Sequence, residues 1–326
     1  MNVQHVVALA GGVGGAKLAR GLADLLEPEQ LTVVVNTGDD FEHLGLQICP
    51  DLDTVMYTLA DRHNPVNGWG LAGETFHVMA ALAAIGGETW FTLGDKDIAT
   101  HAERTHRLRL GQSLSDVTAA LCRALGVRHR IVPMSDQPVR TVVHTENGAL
   151  AFQDYFVRLK ADVAVRSVAF EGAHTARPSP GFQQVIDEGV DASAIVICPS
   201  NPWLSIDPIL ALPGTRDWLA ARRAPVVAVS PIVGGKAIKG PAARIMQDLG
   251  IVPSALEVAR RYRGLIDGFV IDRCDAALAD AIAALGIVPL VTGSVMQSPD
   301  DRRRLAAEVL AFAGTLGVRA PVGDAA

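Results

Sequence analysis

No two of the four cysteines in this chain have the C-x-x-C spacing of a zinc or redox site; Cys49, Cys122, Cys198 and Cys274 lie far apart. That pattern reads as reduced thiols in a cytoplasmic protein. The amino-terminal stretch MNVQHVVALAGG lacks a basic n-region and a cleavage site, and Gly or Pro breaks each long apolar run short of a membrane span. Neither export nor membrane insertion is expected. Positive charge is scarce as well: 29 Lys and Arg against 35 Asp and Glu give a net charge of -6 and a pI near 5.8. The basic residues are scattered rather than striped, which argues against nucleic acid as the main partner. The short run Arg302-Arg303-Arg304 is expected on an exposed helix face. Nucleophile signatures are missing too, with no G-x-S-x-G elbow, no H-E-x-x-H and no evident Cys–His pairing.

What the chain does have is a regular alternation of strands and helices. Its 326 residues are 49% hydrophobic, with a mean hydropathy of +0.25, enough for one large α/β domain over residues 1–326. Apolar, β-branched runs at Val6–Ala10, Leu31–Asn36, Thr89–Leu93, Ala194–Cys198, Val226–Ser230, Phe269–Ile271 and Ile287–Thr292 are strand candidates. Helical periods fall between them, as at Leu114–Leu125, Ala255–Tyr262 and Arg302–Phe312. Continuously apolar strands separated by helices predict a Rossmann-like, mainly parallel sheet covered on both faces. The stretch 139–171 reads differently. Val139–Thr145 and Ala149–Phe156, joined through Asn147-Gly148, predict a hairpin, and Ala164–Phe170 a third strand, together a small antiparallel insertion. The residues 318–326 read as a loose tail.

Polar motifs follow these strands directly, which predicts one rim lined with glycines and carboxylates. The first strand runs into Gly11, Gly12, Gly14 and Gly15, where bare backbone amides and a helix N-terminus can seat a phosphate, with Lys17 to add charge. Lys17 follows Ala16 and precedes Leu18, so the loop is not a Walker loop. The third glycine of the dinucleotide fingerprint is replaced by Lys17, so NAD binding is disfavoured. Asp39 and Asp40 end the second strand, and Asp51 and Asp53 open the next helix, with Asp51 expected as a helix cap. Carboxylates beside a phosphate seat repel the substrate unless a hard cation joins them, and magnesium is the expected ion. Asp97, Thr100, His101 and Arg104 share one helical face suited to a second ligand. Ser200, Asn201 and Ser205 offer side-chain donors after the fourth polar motif, and Lys236 a point charge after the fifth. Positioning, a metal and electrostatics are the needs of phosphoryl transfer.

The segments Ala10-Gly11-Gly12-Val13-Gly14-Gly15-Ala16-Lys17, Val35-Asn36-Thr37-Gly38-Asp39-Asp40, Cys49-Pro50-Asp51-Leu52-Asp53-Thr54, Leu93-Gly94-Asp95-Lys96-Asp97 with Thr100-His101, Pro199-Ser200-Asn201-Pro202 and Ser230-Pro231-Ile232 resemble the CofD family. That family comprises the phospholactate transferases of deazaflavin coenzyme F-420 biosynthesis. The resemblance runs from about residue 5 to 312 and implies a magnesium-dependent transfer of a phospho-acid from a guanosine diphospho-linked donor to the terminal ribityl hydroxyl of the deazaflavin Fo, releasing GMP. It implies Fo contacts at Asp53 and Thr92, with Asp95 and His101 on the same side. The guanosine-phosphate side would be Gly11, Gly12, Gly14, Gly15, Lys17, Ser200, Asn201 and Lys236. Asp53 and Asp40 are the expected catalytic residues, and Asp39, Asp40 and Asp53 the expected metal ligands. Lys96 stands where most relatives carry Arg, which keeps the charge and loses the fork. A homodimer is also implied. Whether 2-phospholactate, phosphoenolpyruvate or 3-phosphoglycerate is moved stays open. The alternative is a non-catalytic nucleotide-sugar-binding regulator on the same fold, as in the related gluconeogenesis-factor family. On the enzyme reading, Asp53→Asn is expected to fold normally and to lose at least ~10²-fold in activity.

Overall fold

The computed structural model describes residues 5–188 and 192–317; the tail expected at 318–326 lies outside them. A seven-stranded sheet forms the centre. Its strands are β1 (Val6–Ala10), β2 (Leu31–Val35), β3 (Arg130–Pro133), β4 (Ala194–Ile197), β5 (Val226–Val229), β6 (Gly268–Asp272) and β7 (Val288–Thr292). Every pairing is parallel, in the order β7-β6-β5-β4-β1-β2-β3. Two halves therefore wind outward from β1 and β4, and the crevice between those two strands is the switch point where such sheets bind ligands.

Alternation along the strands feeds both faces. Val6, Ala8, Ala10, Val33 and Val35 pack with α1 (Gly12–Ala23), α2 (Pro50–Leu59) and α6 (Pro299–Leu316), whereas Val7, Leu9 and Val34 join the core on the other face. Three further helices, α3 (His77–Ala84), α4 (Asp95–Arg109) and α5 (Leu114–Ala124), lie between β2 and β3 in the chain. At Gly21, α1 comes so close to α6 that an added Cβ would sit 2.2 Å from the Arg302 carbonyl oxygen. That contact half-buries Arg302, so only Arg303 of the basic run is fully exposed.

The antiparallel insertion is present as Arg140–Thr145 between Gly148–Ala151 and Val165–Glu171. It turns at Glu146-Asn147, and Gly148 takes the positive φ of 114°. Its Val139, Val143 and Val165 belong to the same core as β1 and β4, and Thr141 N–H bonds the Gly38 carbonyl at 2.7 Å. Three expectations differ from what is found. The second strand of the hairpin, expected over Ala149–Phe156, ends at Ala151, and Asp154–Arg158 is helical. Thr89–Leu93 is irregular chain rather than a strand, because Trp90 and Phe91 pack with Phe41 and His43 in an aromatic cluster outside the sheet. The edge strand β3 carries the weakest signal, four residues beginning with Arg and ending with Pro. All four cysteines are free thiols, and among the described residues no helix is long and apolar enough to cross a membrane.

Candidate active site

One cavity of about 710 Å³ opens at the carboxyl ends of β1, β2 and β4, within the range of small-molecule sites. On its phosphate side, α1 begins directly after β1, and its N-cap Gly11 carries no side-chain cap. The first-turn amides of Val13 and Gly14 have no carbonyl one turn back to bond, and both residues line the cavity. Gly11 N–H donates to Ser200 Oγ at 3.0 Å, and Gly12 N–H to Asp51 Oδ1 at 2.8 Å. The glycines are required by proximity: a Cβ on Gly14 would meet the Pro199 carbonyl oxygen at 2.3 Å, and one on Gly15 would meet Ser200 Oγ at 2.4 Å. Asn201 accepts from the Trp203 and Leu204 amides, and its buried Nδ2 has no partner among the described residues. Lys17 lines the same wall, donating to the Met296 carbonyl at 2.8 Å. Burial lowers its pKa, with Arg302 and Lys239 adding to the effect.

Asp51 does not cap its helix. Cys49 is the N-cap and Asp51 lies in the first turn, where it fastens Gly12 and accepts from Asn36 Nδ2 at 2.9 Å. It thereby ties the glycine loop to the end of β2. Asp39 lines the cavity beside it, its buried Oδ1 without a hydrogen-bond partner among the described residues. Burial raises the Asp39 pKa well above the usual carboxylate range, and the charge of Asp51 raises it further. Burial raises Asp51 too, against the bonds from Asn36, Gly12 and Ser205.

Asp40 is turned away from the cavity into a closed environment. Burial pushes its pKa up to about 8, although Cys49, Arg140 and Arg104 oppose the shift. A carboxyl protonated in the fold and ionised in the unfolded chain contributes stability that is full below about pH 4 and is lost as pH rises towards 8. Asp40→Asn should therefore raise the melting temperature over wild type more at pH 8 than at pH 5, as read by calorimetry at the two pH values. A constant difference between them would contradict the assignment.

The other half of the cavity is built where α2 meets α4. Asp53, 5% exposed, is gripped by the fully buried Arg104, whose Nη1 donates to Asp53 Oδ2 at 3.1 Å and whose Nη2 bonds Asp53 Oδ1. Arg104 Nη1 also contacts His101 Nδ1 at 3.1 Å. Burial works against the Arg104 charge, but Asp53 more than offsets this, so the guanidinium is held still more firmly charged than usual. Tyr57 donates its hydroxyl to Asp97 Oδ1 at 2.7 Å, and His101 Nε2 lies 3.5 Å from that oxygen. Burial alone would raise Asp97, yet His101, Tyr57 and Arg104 bring its pKa below the usual range. Asp53, Tyr57, Asp97 and His101 all line the cavity, together with Thr92, Trp69, Trp90, Phe152 and Phe156.

Besides Asp40, three expected residues do not line this cavity: Gly15, Asp95 and Lys236. Asp95 accepts from Thr75 Oγ1 and from the His77 and Val78 amides, securing the start of α3. Lys236 stands exposed on the short hairpin Ile232–Ala237, while Lys239 lines the wall instead. Sequence reasoning left Lys239 and Tyr57 out. Their only signal was position, since Tyr57 falls one helical turn after Asp53.

Among the described residues, one group of three His, Cys, Asp or Glu places its ligand atoms within 4.8 Å of one another: Asp53, Asp97 and His101. Asp39 and Asp40 are not part of it. This group already holds a cation of its own, because Arg104 occupies Asp53 and His101 Nδ1.

The family model of 2-phospho-L-lactate transferase CofD matches residues 6–303. The phosphoenolpyruvate transferase of Streptomyces coelicolor is 43% identical over 315 residues, covering 95% of this chain and 98% of that protein. The phosphoenolpyruvate transferase of Thermobifida fusca is 44% identical over 300 residues, covering 88% and 92%. A UPF0052-family protein of Bacillus halodurans superposes with a TM-score of 0.61 at 16% identity, covering 95% of this chain and 99% of that one. That likeness is one of fold.

Proposed function

From the membership of this chain in the CofD transferase family, shown by the match over residues 6–303, we propose that it moves a phospho-carboxylic acid from a guanosine diphospho-linked donor to the terminal ribityl hydroxyl of Fo, releasing GMP. The observation that carries this reading is the division of one cavity between an uncapped helix N-terminus on one wall and an aromatic, acid-bearing wall on the other. The unpartnered Asn201 Nδ2 and the amides of Val13 and Gly14 face the nucleotide phosphates. Lys17 and Lys239 supply the facing positive charge. Trp69, Trp90, Phe152 and Phe156 suit a flat tricyclic ring, with Asp53 and Thr92 beside it. The acid transferred is phosphoenolpyruvate, the group named in relatives identical at 43–44%.

Of the carboxylates expected to hold magnesium, Asp39 fits: among the described residues its buried Oδ1 has no partner, and the charge of its neighbour Asp51 adds a repulsion that a divalent cation would relieve. Asp40 is enclosed and Asp53 has its charge matched by Arg104. Asp39 and Asp51 would hold the ion, whose chemistry there would be charge neutralisation of the diphosphate. The enzyme works in the cytoplasm as a homodimer.

Titration of the purified protein with fluorescent Fo tests the reading. Saturable binding at micromolar Fo, lost on Asp53→Asn, is expected. The regulator on the same fold needs one ligand, whereas this cavity has two chemically distinct walls; absence of Fo binding at high micromolar concentration would favour the regulator.

A further inference from the structure

We propose that Asp97 accepts the proton of the attacking hydroxyl, and that Arg104 and His101 are positioning residues whose mutual contacts leave Asp97 as the carboxylate with an oxygen open to the acceptor. The inference rests on the transfer reaction proposed above. It begins from Arg104, a guanidinium with five donors and no acceptor. Its 3.1 Å contact with His101 Nδ1 therefore requires Nδ1 to be the unprotonated nitrogen. The proton of the neutral ring is then on Nε2, so His101 offers a donor to the cavity and to Asp97, not a lone pair. His101 in this form is neither a base nor a metal ligand at Nε2.

Asp53 is excluded by the same residue. Both of its oxygens are held by Arg104, and protonating a carboxylate in such a fork discards the ion pair in a buried place. Asp97 is different. Only Oδ1 is taken, by the neutral Tyr57 hydroxyl, and among the described residues Oδ2 has no hydrogen-bond donor. Asp97 lines the cavity, and its main-chain amide is anchored by Glu74 Oε1 at 2.9 Å, which fixes the first turn of α4. The buried chain Asp53, Arg104, His101, Asp97, Tyr57 thus presents one free carboxylate oxygen to the acceptor.

The step balances without a further reactant. The hydroxyl O–H bond breaks and its proton passes to Asp97, while the hydroxyl oxygen forms a bond to the phosphorus bearing the acid. The bond from that phosphorus to the bridging oxygen breaks, and its electron pair leaves with GMP. Tyr57 holds Asp97 in place while it carries the proton, and His101 Nε2 stands 3.5 Å from the same oxygen.

The experiment compares Asp97→Asn, Arg104→Lys, His101→Gln and His101→Ala with wild type for turnover, Fo affinity by fluorescence and melting temperature. Asp97→Asn should lose about 10²-fold or more in kcat, with Fo affinity within about threefold and a melting temperature near wild type. His101→Gln, which keeps a donor, should retain more turnover than His101→Ala. Arg104→Lys keeps the charge and loses the fork, so its defect should fall on kcat rather than on KM for Fo. Asp97→Asn with turnover within about threefold of wild type would overturn the proposal while leaving the parent reaction intact. Loss of Fo binding in proportion to turnover would also overturn it, making Asp97 a binding residue. A wild-type protein that binds both substrates yet transfers nothing to Fo overturns the parent reading and this one with it.

Discussion

Asp53→Asn is expected to lower turnover by about 10²-fold or more and, contrary to what the sequence implies, to unfold more easily. The residue is one half of a pair in which the other half is almost wholly enclosed: Arg104 is 1% exposed and Asp53 5%. Removing one member of a buried ion pair leaves an uncompensated charge and typically costs ~3–5 kcal/mol. Amide replacement keeps the shape and one acceptor, so the lower end of that range applies. The activity loss has a separate cause. Arg104, released from Asp53, no longer holds His101 Nδ1, and the acceptor wall loses its order. Chemical denaturation should show a lower midpoint with an unchanged slope, and steady-state rates should fall even where the variant is fully folded. A variant as stable and as active as wild type would separate Asp53 from both the fold and the reaction.

Gly14→Ala should weaken the donor side in a comparable way. The added methyl would lie 2.3 Å from the Pro199 carbonyl oxygen, a distance that backbone cannot accept without moving. Either α1 shifts along its axis or the 199–201 loop withdraws. Both movements stretch the Gly11 to Ser200 bond, now 3.0 Å, and reorient the amides of Val13 and Gly14. Overpacking of this kind costs ~1–3 kcal/mol, which corresponds to roughly 5- to 150-fold in affinity if it is spent at the phosphate seat. The expected signature is a raised Kd for GDP by calorimetry with Fo binding unchanged. Undiminished GDP affinity would mean that the glycine loop is a packing device and the phosphates bind elsewhere.

Much of this site was legible because strand ends and glycines leave local marks. The run from Val6 to Lys17 contains its strand, its bare turn and its helix in sequence order, and the face shared by Asp97, His101 and Arg104 follows from helical spacing alone. What joins α4 to α2 was not legible. Arg104 reaches Asp53 across 51 positions, and nothing in either segment names the other. The same holds for Asp39 and Asp40, adjacent in sequence and pointing to different surroundings, one to the cavity and one to Cys49. Both lie in a turn beyond β2, which ends at Val35, with the Asp40 N–H bonded to the Thr37 carbonyl, so the turn divides the pair, and residue spacing does not show it. The stretch Thr89–Leu93 misled for a related reason. Its apolar residues serve an aromatic cluster and the cavity wall, and hydrophobicity does not distinguish that from a strand.

Incubating the protein with Fo, magnesium and the guanosine diphospho-linked form of phosphoenolpyruvate, then weighing the products by mass spectrometry, tests the central claim most directly. The account predicts Fo carrying one phospho-acid and an equal amount of GMP. Intact donor and unmodified Fo, with this donor and with its 2-phospholactate and 3-phosphoglycerate counterparts, from protein that binds both ligands, would contradict it.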